Sequence, residues 1–435
     1  MKLDKKFEDD SAIVGVIGLG YVGLPLATAF AEAGLSVLGF DMQKEKISAI
    51  NKGESYIRDV SGERLLQVVK DKKLKATGDY HDMKQADVIC ICVPTPLTKT
   101  KEPDLTFVIS VSEMLVDILR KGQLIVLEST TYPGTTRELV QPILERSGLK
   151  AGRDFYLAFS PERVDPSNSK YTVKNTPKVV GGIDDESTRL TKSLYQKVTK
   201  TVIPVSSPDV AEMTKLFENI FRSVNIALVN ELASLCENMK ISVWEVIQAA
   251  SSKPFGYMPF YPGPGVGGHC IPLDPYYLSS KAKEFAFHTK FIELAAEINE
   301  NMPHHIAHLV MEALNTQGKS LKDSKLLVLG AAYKKDVTDT RESPCIRLME
   351  ILQSKGAKLS YNDPYVPNIN ISGEILASKE LKLENISSFD CVIIATDHSP
   401  YDYEDIVDRS SLVFDARGVT RNIKDDQNKI FRFGE

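Results

Sequence analysis

The stretch Ile13-Val-Gly-Val-Ile-Gly18-Leu-Gly20-Tyr-Val-Gly23, continued by a helical pattern over 22–33 that closes at Gly34, decides the fold. Ile13 to Ile17 reads as a short, fully apolar strand. The three glycines then allow a tight turn, approach of the backbone to a pyrophosphate, and close packing of helix on strand. The helix N-terminus would face the phosphates. By itself this spacing is also an ordinary structural turn, and its setting between strand and helix gives it weight. Ser36 to Phe40 is a second strand with Asp41 at its end. A carboxylate there bonds ribose hydroxyls and repels a 2′-phosphate, which favours NAD over NADP. Asp41 also reads as a solvated strand-end carboxylate, and Lys44 stands near enough to complicate the preference.

Outward from this unit, apolar strands at Val88 to Val93, Leu124 to Glu128 and Phe155 to Phe159 alternate with helical patterns. They predict an α/β fold, a Rossmann-type doubly wound parallel sheet filling residue 11 to about 203. Ligands of such sheets bind beyond the carboxyl ends of the strands. That brings in Thr95 of Val93-Pro-Thr-Pro96 and Thr130 of Ser129-Thr-Thr-Tyr-Pro-Gly134, although both loops also read simply as turns. From 208 to 250 apolar residues recur at helical spacing through Val210, Met213, Leu216, Phe217, Ile220, Val224, Leu228 and Leu232. This predicts a long central helix followed by a shorter one, and its uncovered apolar faces suggest a homodimer or higher homo-oligomer. A helix from Pro275, a long helix near 288–315 with a kink or break at Pro303, and a linker at Asn315 to Ser320 follow. Strands at Leu326 to Leu329, Lys358 to Tyr361, Cys391 to Ala395 and Leu412 to Asp415 then predict a second, smaller α/β domain without a glycine fingerprint of its own. The expected regions are 1–203, 204–315 and 316–435.

At 435 residues and 43% hydrophobic content, the chain has room for two or three cores of roughly 100 to 200 residues each. The net charge of −5 arises from well-mixed residues, which argues against nucleic-acid or membrane partners and for small molecules or copies of itself. No apolar run approaches the ~20 residues of a spanning helix, and the acidic start does not open a signal peptide. Cys90, Cys92, Cys236, Cys270, Cys345 and Cys391 lack disulfide-framework or zinc spacing, which fits reduced thiols in the cytoplasm and no metal.

A second segment carries the chemistry: Pro262-Gly-Pro-Gly-Val-Gly-Gly-His-Cys-Ile-Pro-Leu-Asp274. Cys270 follows two glycines that admit a substrate to the sulfur. Asp274 before Pro275 resembles an N-cap with proline at N1, so Cys270 precedes a helix N-terminus that favours thiolate. The alternatives are a structural thiol and a carboxylate that only caps. On the central helix Lys215 and Asn219 share a face among apolar neighbours that read as buried, which suits proton transfer; a snorkelling lysine on a solvated stripe is the other reading. Glu162 of Phe159-Ser-Pro-Glu-Arg163 is a surface residue or a base that activates water against a thioester.

In this order, the segments resemble the nucleotide-sugar dehydrogenase family, the UDP-glucose and UDP-N-acetylhexosamine 6-dehydrogenases, from Ile13 to Arg417. Gly-Gly-x-Cys is the most specific part. The resemblance implies an NAD-dependent, four-electron oxidation at C6 of a UDP-sugar. By similarity, Lys215, Asn219 and Asp274 assist proton removal at the bound sugar and steady the oxyanion. Cys270 forms a thiohemiacetal and then a thioester, and Glu162 with Thr130 directs the hydrolytic water. Lys334 of Tyr333-Lys-Lys-Asp336 and Arg417 of Asp415-Ala-Arg-Gly418 match substrate-contacting positions, and Arg341 matches one near the cofactor. Two features depart from the UDP-glucose enzymes: Asp165-Pro166-Ser167 stands where they carry a second glutamate, and their cross-dimer arginine has no match near Pro254. His269 and Pro272-Leu-Asp-Pro-Tyr-Tyr-Leu278 resemble the branch acting on N-acetylated sugars, so UDP-N-acetylglucosamine is the expected substrate, with UDP-glucose and UDP-N-acetylmannosamine as alternatives. A two-electron β-hydroxyacid dehydrogenase and a non-catalytic nucleotide-sugar sensor are the more remote readings.

Overall fold

The computed structural model describes residues 3–57, 59–98, 100–164, 171–268, 270–425 and 428–435; His269 and Asp165-Pro166-Ser167 lie outside the described residues. The chain forms two compact units, Met1–Glu218 with Tyr276–Phe287, and Asn219–Pro275 with His288–Glu435.

The first unit is built on an eight-stranded sheet: β1 (Ile13–Ile17), β2 (Ser36–Phe40), β3 (Leu74–Thr77), β4 (Val88–Ile91), β5 (Leu124–Leu127), β6 (Tyr156–Phe159), β7 (Lys178–Gly182) and β8 (Val202–Pro204), in the order β3-β2-β1-β4-β5-β6-β7-β8. Every pair is parallel except β6 with β7; the five strands read from the sequence, β1, β2, β4, β5 and β6, pair in parallel as expected. The inner strands β4 and β5 are buried at every residue, as strands covered on both faces require. Val93, Glu128 and Phe155, read as strand ends, fall just outside the paired segments. β3, β7 and β8 escaped the sequence reading because they are short and carry lysine, paired glycines or proline, residues poor in β signal.

The second unit holds a parallel sheet of β9 (Lys325–Leu329), β10 (Lys358–Asn362), β13 (Cys391–Ile394), β14 (Val413–Asp415) and β15 (Ile430–Arg432), with a separate hairpin of β11 (Asn368–Ile371) and β12 (Glu374–Ala377). Its order, β10-β9-β13-β14-β15, repeats the arrangement around β1. In both sheets the first strand lies between the second and a later one. Each first strand ends on a left-handed glycine, Gly18 or Gly330, and each second strand is followed by an aspartate, Asp41 or Asp363.

The central helix runs Pro208–Met239 and is followed by Val243–Ala250. Of the apolar neighbours of Lys215 and Asn219 that read as buried, Leu216 and Ile220 are buried, but Met213 and Phe217 are exposed at 41% and 65%. Periodicity locates an apolar face without saying what covers it. The helix Lys290–Thr316 is continuous through Pro303, so of the expected kink or break no break occurs, and the helix runs past Asn315, the expected start of the linker. Proline removes one backbone donor, which leaves the Asn299 carbonyl without its helical partner. Gly265 sits so close to that carbonyl oxygen that a Cβ there would approach it to 2.8 Å.

Candidate active site

In the first unit the glycine fingerprint does three separable jobs. Gly18 has φ +90°, and a Cβ on it would reach 2.6 Å from the Cys92 carbonyl oxygen; at Gly23 a Cβ would collide with the Gly18 carbonyl. Gly20, by contrast, has nothing within 4 Å of a built Cβ. The helix Gly23–Glu32 starts without a side-chain cap. An open glycine beside an uncapped helix start fits a pyrophosphate. Asp41 accepts the Leu19 N–H at 3.0 Å and the Gln43 N–H at 3.0 Å, so the strand-end carboxylate also braces the glycine turn. The cation beside it is Lys46, at 3.5 Å, rather than the Lys44 singled out by proximity in sequence.

The two strand-end loops meet, since the Thr95 hydroxyl donates to the Thr130 carbonyl at 2.7 Å. The Ser129 hydroxyl donates to the Val93 carbonyl at 2.8 Å. Below them lies an anchor that sequence reading missed. Glu212, fully buried on the central helix, accepts from the Gly134 N–H at 2.7 Å, the Thr136 N–H at 2.9 Å and the Thr136 hydroxyl at 2.7 Å. Burial pushes its carboxyl up to about 7 against these three donors.

Glu162 follows β6, where its Oε1 accepts the N–H groups of Arg163 and Val164 at 2.7 and 2.6 Å. Its Oε2 lies 3.6 Å from Lys178 Nζ, whose other partner is Glu128 at 2.6 Å. Tyr195 donates its hydroxyl to the same Glu128. Lys178 is therefore a buried cation between two carboxylates. Burial works against its charge, but Glu128 and Glu162 outweigh that and hold the ammonium above its ordinary range. Glu128 is itself pushed up by burial and steadied by Lys178 and Tyr195.

In the second unit Asn219 donates to the Asp274 carboxylate at 2.5 Å, and both are buried. Asp274 is the first residue of the helix Asp274–Lys283, one residue inside the expected N-cap position, and its carboxylate holds Asn219. Its backbone N–H, with that of Leu273, donates to the Cys270 carbonyl at 2.9 and 3.1 Å. Cys270 is half-buried, while the other five cysteines are buried. Burial pushes the thiols of Cys90, Cys92, Cys345 and Cys391 up, Cys391 to about 12. Those four are held as inert thiols.

The loop that presents Cys270 is fixed by packing. A Cβ on Gly267 would lie 2.5 Å from Tyr333 Cβ and 2.9 Å from the Glu342 carbonyl, and the Gly268 N–H donates to the Arg341 carbonyl at 2.9 Å. Upstream, Asn299 donates to the Ser223 carbonyl at 3.0 Å and accepts from Asn230 at 3.1 Å, while Asn230 accepts the Gly263 N–H at 3.0 Å. Neither asparagine carries a signal in sequence, because each reads as one polar residue on a helix. Lys215, on the same helix as Asn219 and one turn before it, is buried.

Lys334 lies in the turn after β9, and Arg417 follows β14, where its guanidinium stands 3.4 Å from Asp397. Arg417 lines a cavity of 360 Å³ with Trp244, Tyr261, Asp397 and Arg421. Arg341 pairs with Asp339 at 2.7 Å within its own turn. Among the described residues no cluster of His, Cys, Asp and Glu could hold a metal ion.

Family models for the UDP-glucose/GDP-mannose dehydrogenases match three stretches: the NAD binding domain over 12–199, the central domain over 209–301 and the UDP binding domain over 327–422. The UDP-N-acetyl-D-mannosamine dehydrogenase of Pyrococcus horikoshii is 36% identical over 94% of this chain and 96% of its own length. The UDP-N-acetyl-D-glucosamine 6-dehydrogenase of Salmonella typhi is 35% identical over 91% of this chain and 92% of its own. A solved structure of the Pyrococcus horikoshii UDP-D-ManNAc dehydrogenase aligns with TM-score 0.88 at 35% identity, covering 97% of this chain and 99% of that one.

Proposed function

The chain belongs to the UDP-glucose/GDP-mannose dehydrogenase family, and from that membership we propose that it oxidises the C6 hydroxymethyl of a UDP-N-acetylhexosamine to the uronic acid. NAD, when bound along Gly18, Gly20, Gly23 and Asp41 of the first unit, with Thr95 and Thr130, would supply the hydride acceptor, two equivalents per sugar; Arg341 is assigned to the cofactor by the family resemblance. In the first oxidation Lys215 and Asp274 assist removal of the hydroxyl proton, and Lys215 with the Asn219 amide steadies the alkoxide as C6 loses a hydride. The Cys270 thiolate adds to the aldehyde carbon to give a thiohemiacetal. Loss of a second hydride leaves a thioester. Water, deprotonated by Glu162 and oriented by Thr130, then breaks the C–S bond, releasing the acid and restoring the thiol. Lys334 and Arg417 hold the nucleotide. A homodimer or larger homo-oligomer belongs to the same reading, since Met213, Phe217, Leu228 and Leu235 of the central helix are exposed.

The observation that carries this reading is the Cys270 loop. The half-buried cysteine has its carbonyl tied to the Asp274 N–H, and the Asp274 carboxylate is tied to Asn219. UDP-N-acetylglucosamine is the sugar that the sequence favours. UDP-N-acetylmannosamine is the second reading, supported by the names of the 36% identical relative and of the structure at TM-score 0.88. NADH release with UDP-glucose and the UDP-linked N-acetyl derivatives of glucosamine, galactosamine and mannosamine, assayed side by side, tests both. Turnover of an N-acetylated sugar supports the proposal, and turnover of UDP-glucose alone contradicts it.

A further inference from the structure

The second unit contains a buried histidine–aspartate pair that the reaction does not use. His398, which follows β13, is 0% exposed, and Asp363, which follows β10, is 4% exposed. The Asp336 N–H donates to His398 Nδ1 at 3.0 Å. A backbone N–H can only donate, so Nδ1 is bare and the ring proton sits on Nε2. Nε2–H then donates to Asp363 Oδ2 at 3.0 Å. The tautomer is fixed from both sides.

Asp363 gathers four more donors. The N–H groups of Ala331 and Ala332 reach Oδ2 at 2.7 and 3.0 Å, and those of Tyr365 and Val366 reach Oδ1 at 2.8 and 3.1 Å. The pair therefore holds both ends of one turn, Ala331 and Ala332 through Asp363 and Asp336 through His398, with Lys334 between them. Asp336 has φ +59°, a left-handed conformation that a non-glycine residue keeps only when its surroundings enforce it. Besides His398, Ser399 enforces it, donating its N–H and hydroxyl to the Asp336 carboxylate at 2.8 and 2.6 Å. The rings of Tyr365 and Tyr401 close over the imidazole with centroids 5.1 and 6.0 Å away. An apolar pair would leave five backbone N–H groups, those of Ala331, Ala332, Tyr365, Val366 and Asp336, without acceptors, so the buried polar pair fixes one particular turn geometry. The first sheet uses the same device: Asp41, at the corresponding strand end, braces the glycine turn through Leu19.

We infer that His398, acting with Asp363, is a positioning residue for the nucleotide half of the substrate: it sets the turn that carries Lys334 and thereby sets affinity for the nucleoside diphosphate. The inference rests on the reading that Lys334 contacts the substrate. The test is calorimetric binding of UDP to the full-length chain. His398→Asn places an oxygen near Nδ1 and keeps an acceptor for the Asp336 N–H; His398→Gln reaches only the Nε2 position and loses it. His398→Gln should weaken UDP binding roughly tenfold, and His398→Asn should restore it to within about threefold of wild type. Unchanged binding by His398→Gln overturns the inference. Equal losses in both variants, in step with lower melting temperatures, also overturn it and leave the pair purely structural. Lys334→Met separates the two levels. If it leaves UDP binding unchanged, the underlying reading fails; if it weakens binding while His398→Gln does not, only the positioning role fails.

Discussion

Replacing Lys178 by methionine should destabilise the protein far more than its removal from the surface of a strand would suggest. Nζ lies 2.6 Å from Glu128 and 3.6 Å from Glu162, and the three side chains are 7%, 0% and 15% exposed. Without the ammonium, Glu128 keeps the Tyr195 hydroxyl but loses its counter-charge. Removing one member of a buried pair costs about 3–5 kcal/mol, a large share of a typical stability of about 5–15 kcal/mol. For a unit of this size that is a fall of roughly 6–20 °C in melting temperature. The double variant Lys178→Met/Glu128→Gln removes the stranded charge, retains an acceptor for Tyr195, and should recover most of the loss. Urea unfolding of the full chain, followed by circular dichroism, measures both. A single variant within about 1 kcal/mol of wild type, or a double variant no better than the single, refutes the coupling.

Other perturbations follow from the same geometry. The Glu212 carboxyl, pushed up to about 7 by burial, binds its proton more tightly in the folded chain. Its stabilisation is therefore complete below its ordinary value of 4.5 and is lost as pH rises through about 7. Relative to Glu212→Gln, which cannot ionise, wild type should lose about 3 kcal/mol between pH 4.5 and about 8, and a constant difference in denaturation free energy would contradict this. Gly267→Ala places a Cβ 2.5 Å from Tyr333 Cβ and 2.9 Å from a backbone oxygen; it should cost about 1–3 kcal/mol in the same assay and slow turnover by displacing the Cys270 loop. Cys270→Ala should bind UDP and NAD with affinities near wild type in calorimetry while forming no acid, and normal acid output would remove the covalent route.

Much of the fold is legible in the sequence because the inner strands β1, β4 and β5 are buried and read as short apolar runs between helical patterns. Gly18 and Gly23 are legible because the turn leaves no room for a Cβ at either, and Gly20 because of its spacing between them. What could not be read depends on partners distant in the chain. Lys178 carries no signal in the sequence, since β7 itself is not legible there, and only the fold places it beside Glu128, 50 residues earlier. His398 meets Asp363, 35 residues earlier, only through the strand order of the second sheet. Asn219 and Asp274, singled out separately, lie 55 residues apart and are joined in the structure. Asp274 stands one residue inside the helix start that the local sequence suggests, a boundary shift that local sequence does not resolve. Met213 and Phe217 were misread because a helical period fixes a face and leaves its environment open.

In the proposed reaction one sugar is oxidised twice before release, first as the alcohol and then as the Cys270 thiohemiacetal. The most direct test counts NADH formed per UDP-N-acetylhexosamine consumed in a single-turnover reaction with excess NAD. Two NADH per sugar, with the uronic acid as the product, is the predicted result; one NADH with an accumulating carbonyl product would contradict it.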